Sequence, residues 1–99
     1  MKKDLRYVEL FELYQGLLTE KQREIFSSHY LFDLSLSEIA EPEGNTRQSV
    51  YAAVKKVKEK LEEYENILGV YSKNKKLLEL ASCVGDGELK EKIAEIIGK

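Results

Sequence analysis

The chain has 99 residues, 42% of them apolar and 34% charged, with 16 Lys+Arg against 18 Asp+Glu and a formal net charge of -2. That is the length and composition of one globular domain, neither a disordered chain nor a generally basic nucleic-acid coat. One cysteine (Cys83) and one histidine (His29) exclude an intrachain disulfide and a structural zinc site, and no apolar run approaches the roughly 20 residues that span a bilayer.

A single proline and six glycines give too little punctuation for an all-β chain, so an all-α fold is expected. Apolar residues from Leu5 to Leu18 recur over an arc wider than one face, which predicts a first helix buried on two sides. Thr19 with Gln22 is a capping box that opens a second helix, running to about Asp33 with Ile25, Phe26, His29 and Tyr30 inward. Ser35 with Glu38 repeats the pattern for a short third helix with Leu36, Ile39 and Ala40 on its apolar side, stopping near Pro42-Glu43-Gly44-Asn45. Thr46 caps a long fourth helix in which Val50, Val54, Val57, Leu61, Tyr64 and Leu68 alternate by four and three residues, with Gly69 as terminator. Two further helices are expected, about Lys75 to Cys83 and about Gly87 to Ile97. The helical core occupies about 5-68 and the C-terminal extension about 73-98 of one domain. Leu61, Tyr64 and Leu68 overhang that core and need a partner surface: either the C-terminal helices, through Leu77, Leu78, Leu80, Ile93 and Ile96, or a second copy in a homodimer.

The stretch from Leu36 to Val50 reads as a helix-turn-helix. Ala40 is small enough for two helices to approach, Gly44 supplies a left-handed turn residue, and Val50 and Val54 face back from the second helix. The outward side of that helix then offers Arg47, Gln48, Tyr51, Ala52, Lys55 and Lys56 to a major groove, with Thr46 and the helix N-terminus near a phosphate. Residues Thr46 to Lys60 hold five bases (Arg47, Lys55, Lys56, Lys58, Lys60) and one acid (Glu59), a formal +4, leaving -6 for the rest. Arginine and glutamine pair bidentately with guanine and adenine, whereas lysines suit phosphates. Lysines on an exposed helical face are also commonly just solvated, and Glu62 and Glu63 stand near Lys58 and Lys60. His29 reads as a hydrogen-bonded, partly buried histidine and Cys83 as a small hydrophobe. No nucleophile with a base, metal-ligand set, cofactor site or phosphate loop can be drawn, so a non-enzymatic cytoplasmic protein is expected.

Leu17-Leu18-Thr19-Glu20-Lys21-Gln22-Arg23, Leu34 to Glu41, and Thr46-Arg47-Gln48-Ser49-Val50-Tyr51 together resemble the YlxM family, small bacterial proteins related to region 4 of sigma factors. The resemblance implies a sigma-region-4-like helical fold that binds duplex DNA, in a protein associated with the signal recognition particle. Pro42, Glu43 and Asn45 depart from the family pattern at positions expected to pack. Their loss as anchors predicts a looser turn, at about 1 to 3 kcal/mol if the sites are buried, and weaker docking of the fourth helix. Two functions follow from different classes. One is a helix-turn-helix regulator on DNA; the other is an interaction module that binds a signal recognition particle component without reading DNA. RNA is a third ligand class, but no platform of aromatics interleaved with bases is evident.

Overall fold

The structure, a computed structural model, describes residues 4–85 and 87–98. Among them are six α-helices and two single 3-10 turns, and no strand. Helix α1 (Leu5–Tyr14) is capped by Asp4, whose carboxylate accepts from the Arg6 amide at 2.9 Å. It ends four residues short of the expected Leu18. Residues 15–17 tighten into a 3-10 turn, Leu18 is extended, and the Arg23 guanidinium donates to the freed carbonyls of Leu18 and Gln15 at 2.7 and 3.3 Å.

Both capping boxes form. Thr19 Oγ1 accepts from the Gln22 amide while Gln22 Oε1 accepts from the Thr19 amide, starting α2 (Glu20–Tyr30), and Ser35 and Glu38 do the same for α3 (Leu36–Ala40). Helix α2 stops before the expected Asp33 because Leu31 and Phe32 both donate to the Ser27 carbonyl and Asp33 turns the chain at φ 60°. Helix α4 (Arg47–Leu68) starts on Thr46, whose hydroxyl accepts from Ser49, and ends on Gly69 at φ 63°.

The core gathers Leu10, Phe11, Tyr14 and Leu18 from the first segment, Phe26 from α2, Ala40 from α3, and Val50, Val54, Val57 and Leu61 from α4. Phe11 stacks on Phe26 at 4.9 Å between ring centres, and Phe26 on Tyr30 at 4.4 Å. Full burial of each such side chain is worth about 1.5 to 3 kcal/mol, which makes α4 the beam onto which α1, α2 and α3 pack. The two-sided burial expected of α1 is only partly met: Leu5, Leu13 and Leu17 remain exposed.

Helix α5 (Val70–Val84) begins directly after Gly69, five residues before the expected Lys75, and α6 (Gly87–Ile97) occupies the expected span. The early start has a nonlocal cause. Glu65 Oε1 and Oε2 accept from the Tyr71 and Ser72 amides at 3.0 Å each, and the Tyr14 hydroxyl accepts from the Val70 amide at 3.1 Å. These groups satisfy the orphan donors that Gly69, having no side chain, cannot cap.

Of the two partner surfaces expected for the overhanging seam, the C-terminal helices supply little beyond Tyr71, which packs against the core. Tyr64 packs on Tyr14 of α1, with its hydroxyl on the Leu17 carbonyl at 3.2 Å, and Leu61 is fully buried in the core. Leu68, Leu77, Leu78, Leu80 and Ile96 stay exposed, and among the described side chains of α5 and α6 Ala81 alone is buried. Cys83, read as a small hydrophobe, is likewise exposed. The α5–α6 pair thus forms an arm: the radius of gyration is 16.5 Å against about 13 Å for a compact chain of this length.

Candidate nucleic-acid interface

The helix-turn-helix is formed by α3, the 3-10 turn over residues 41–43, and α4. Gly44 adopts φ 67°, and Asn45 donates back to the Ala40 carbonyl at 3.0 Å, closing the turn. Ala40 is 2% exposed where α3 meets α4, as the close approach requires. The burial on which the expected loosening at Pro42, Glu43 and Asn45 depended is not found. All three are exposed, so no apolar burial is forfeited. Pro42 instead fits the first turn of the 3-10 segment, where its missing N–H is no loss. The Asn45 amide donates to the Glu43 carboxylate, and Lys21 of α2 forms an ion pair with Glu43.

Thr46, Arg47, Gln48, Tyr51, Ala52, Lys55 and Lys56 are all exposed. On a helix of 100° per residue, Gln48, Ala52, Lys55 and Lys56 lie opposite Val50, Val54 and Val57, which are buried; Tyr51 stands at the flank, and Arg47, close to Val54 in direction, is exposed in the first turn. The six from Arg47 to Lys56 run along about 13 Å of helix, comparable with the roughly 12 Å width of a B-DNA major groove. The first amides of α4 are only partly used by the Thr46 cap, leaving the positive end of the helix dipole beside Arg47. Glu41 and Glu43 lie close to this end in sequence, and the Lys21 ion pair offsets the second of them. The same contact raises the Lys21 ammonium above the ordinary lysine value.

The +4 segment divides. Lys58 is half-buried, with its ammonium 5.3 Å from the ring centres of both Tyr7 and Tyr30. Glu62, expected beside Lys58, instead pairs with Arg6 at 2.7 Å. Lys60 is also half-buried, about 40° round the helix from Lys56. Arg47, Lys55 and Lys56 are therefore the exposed bases of the segment. No local signal marks Lys58 as different, since its aromatic partners lie 51 and 28 residues away. His29 is hydrogen-bonded and half-buried as expected, its Nδ1 2.8 Å from the Leu34 carbonyl.

A family model described as "Putative helix-turn-helix protein, YlxM / p13 like" matches residues 1–98. The chain belongs to this family. YlxM/p13-like relatives named UPF0122 protein share its sequence along most of their length. One from Ureaplasma parvum serovar 3 is 43% identical over 89 residues, covering 90% of each chain. Another, from Halalkalibacterium halodurans, is 42% identical over 95 residues, 96% of this chain and 87% of the relative. A third, from Bacillus thuringiensis, is 48% identical over 73 residues, 74% of this chain and 66% of the relative. The YlxM/p13-like chain is thus an all-α helix-turn-helix protein. Among the described residues no helix is long and apolar enough to cross a membrane.

Proposed function

We propose that this protein is a non-enzymatic regulator that binds duplex DNA through the N-terminal half of α4. One observation carries the reading: six side chains from Arg47 to Lys56 stand exposed over the first three turns of a helix that Val50, Val54 and Val57 lock into the core. Arg47 and Gln48 read base edges, Tyr51 and Ala52 contact the groove wall, Thr46 and the helix N-terminus meet a phosphate, and Lys55 and Lys56 hold the backbone. The family resemblance supports a place for this regulator with the signal recognition particle.

Three exposed bases make a weak monomeric binder, since each phosphate contact adds modestly and the remainder of the molecule is acidic. A homodimer through the arm supplies the second recognition helix. Its support is the exposed apolar side chains there: Leu77 and Leu80 share one face of α5, and Leu89 and Ile96 one face of α6.

Selection from random duplex DNA, followed by anisotropy titration at two salt concentrations, tests the reading. Arg47→Ala costs about 1 to 3 kcal/mol and relaxes sequence preference, while Lys55→Ala weakens all sequences alike and flattens the salt slope by about one unit. Absence of duplex binding at low salt refutes it, and a preference for cellular RNA in a parallel selection replaces DNA as ligand. Sedimentation of wild type beside Leu80→Glu and Ile96→Glu tests the dimer separately.

A further inference from the structure

A second surface shares no residue with the recognition face. Helices α2 and α3, the loop between them and the 3-10 turn that follows enclose an open groove of about 690 Å³. Its floor is apolar: Ile25 and Ile39 are half-buried beside Leu34. At the rim stands Phe32, 72% exposed.

Phe32 is not displayed by default. Its own amide donates to the Ser27 carbonyl at 3.0 Å, Leu34 donates to the Ser28 carbonyl at 3.0 Å, and the His29 ring holds the Leu34 carbonyl. Asp33 takes up the left-handed conformation that the turn demands, at φ 60°. The backbone is thus fixed on both sides of an aromatic ring that faces water. A large aromatic on a backbone pre-organised in this way is suited to anchor a partner, because the loop that carries it need not be ordered on binding.

The rim decides the partner's charge. Glu20, Glu24, Glu38 and Glu43 line the groove against Lys21 and Arg23. Both bases are engaged within the fold, Lys21 with Glu43 and Arg23 with the carbonyls of Leu18 and Gln15. Glu20 and Glu24 lie four residues apart on α2, where like charges oppose each other and a cation relieves the repulsion.

We infer that this groove docks a basic amphipathic helix of a partner protein, its apolar stripe on Ile25, Ile39 and Phe32 and its Lys or Arg residues against Glu20 and Glu24. Helix α2 has 11 residues, so the groove offers about 16 Å, or three turns, to an incoming helix. An anionic membrane surface is disfavoured by the same carboxylates.

The test uses the full chain, isotopically labelled, titrated with a synthetic helical peptide bearing leucine at i, i+3, i+4 and i+7 and lysine elsewhere, and with its glutamate counterpart. Amide shifts centred on Ile25, Ser28, Phe32 and Ile39 are expected with the lysine peptide alone. Phe32→Ala weakens binding about tenfold, and Glu24→Lys does the same while flattening its salt dependence. Circular dichroism checks that each variant keeps its fold, and Glu20→Gln/Glu24→Gln provides a neutral version should the charge reversal disturb α2. Arg47→Ala leaves peptide binding unchanged, and Phe32→Ala leaves duplex binding unchanged, so this proposal and the DNA reading fail separately. Shifts centred on Glu9 and Glu12 or on α5 and α6, equal binding of the glutamate peptide, indifference to Glu24→Lys, or Phe32-dependent binding to phosphatidylglycerol vesicles would each overturn it.

Discussion

Replacing Glu65 with alanine tests whether the joint between α4 and α5 is held by side-chain capping. The carboxylate accepts three hydrogen bonds, from the Tyr14 hydroxyl at 2.7 Å and from the Tyr71 and Ser72 amides at 3.0 Å each. Hydrogen bonds to a charged group contribute about 1.5 to 3 kcal/mol apiece, but Ser72 is exposed and water can replace the carboxylate there. A net loss of about 2 to 3 kcal/mol is therefore expected, near the upper end of known cap deletions. In a chain of this size that lowers the midpoint of thermal unfolding by about 8 to 24 °C. Urea and thermal denaturation followed by far-ultraviolet circular dichroism measure the loss, and amide exchange at Tyr71 and Ser72 locates it. Glu65→Gln keeps an acceptor for Tyr14 but turns its NH₂ group toward the Ser72 N–H, so about half the loss is expected. Burial pushes the Glu65 carboxyl up, but the bonds from Tyr14, Ser72 and Tyr71 and the Arg6 charge together outweigh it and hold it below the ordinary glutamate value. A group depressed in the folded state contributes stability above its unfolded pKa and loses it as pH falls through the folded value. The gap between wild type and Glu65→Gln is therefore flat from pH 6 to 8 and closes below about pH 4. A gap under about 0.5 kcal/mol at neutral pH, or one that persists unchanged at pH 3, would refute the reasoning.

Lys58→Ala removes two cation–π contacts at a half-buried site and should cost about 1 kcal/mol of stability in urea titrations while leaving the salt slope of DNA binding unchanged, unlike Lys55→Ala. Leu61→Ala, at a fully buried core position, should cost about 2 to 5 kcal/mol by the same measurement. Gly44→Ala meets no atom within 4 Å, so its cost is backbone strain alone, about 1 to 2 kcal/mol, and Gly44→Asn should recover part of it.

What the sequence discloses here is what neighbouring residues decide between themselves. Thr19 with Gln22, Ser35 with Glu38, and Thr46 each start a helix through contacts three residues long, and Gly44 and Gly69 end segments through their own φ angles. The outward face of α4 follows from periodicity for the same reason. Helix α5 could not be bounded that way, because its first amides are capped from Glu65 and from Tyr14, the latter 56 residues upstream. The apparent weakness at Pro42, Glu43 and Asn45 rested on an assumption of burial, and burial depends on which other segments come near. Lys58 is withdrawn from the basic face by tyrosines that no local pattern connects to it. The groove between α2 and α3 is equally hidden in sequence, since its floor joins Ile25 to Ile39 across a turn set by Asp33.

Helix α4 has neither proline nor glycine among its 22 residues, so the exposed bases near one end and the arm joint at the other belong to one rigid rod about 33 Å long. Leverage follows. A rotation of α4 by about 5° about the joint, transmitted from the arm through the Glu65 and Tyr14 caps, sweeps Arg47 through about 3 Å, as much as the full length of a hydrogen bond. On the DNA-binding reading proposed above, a grip on the arm that turns α4 through the capped joint therefore shifts the base-reading end some 30 Å away without touching it.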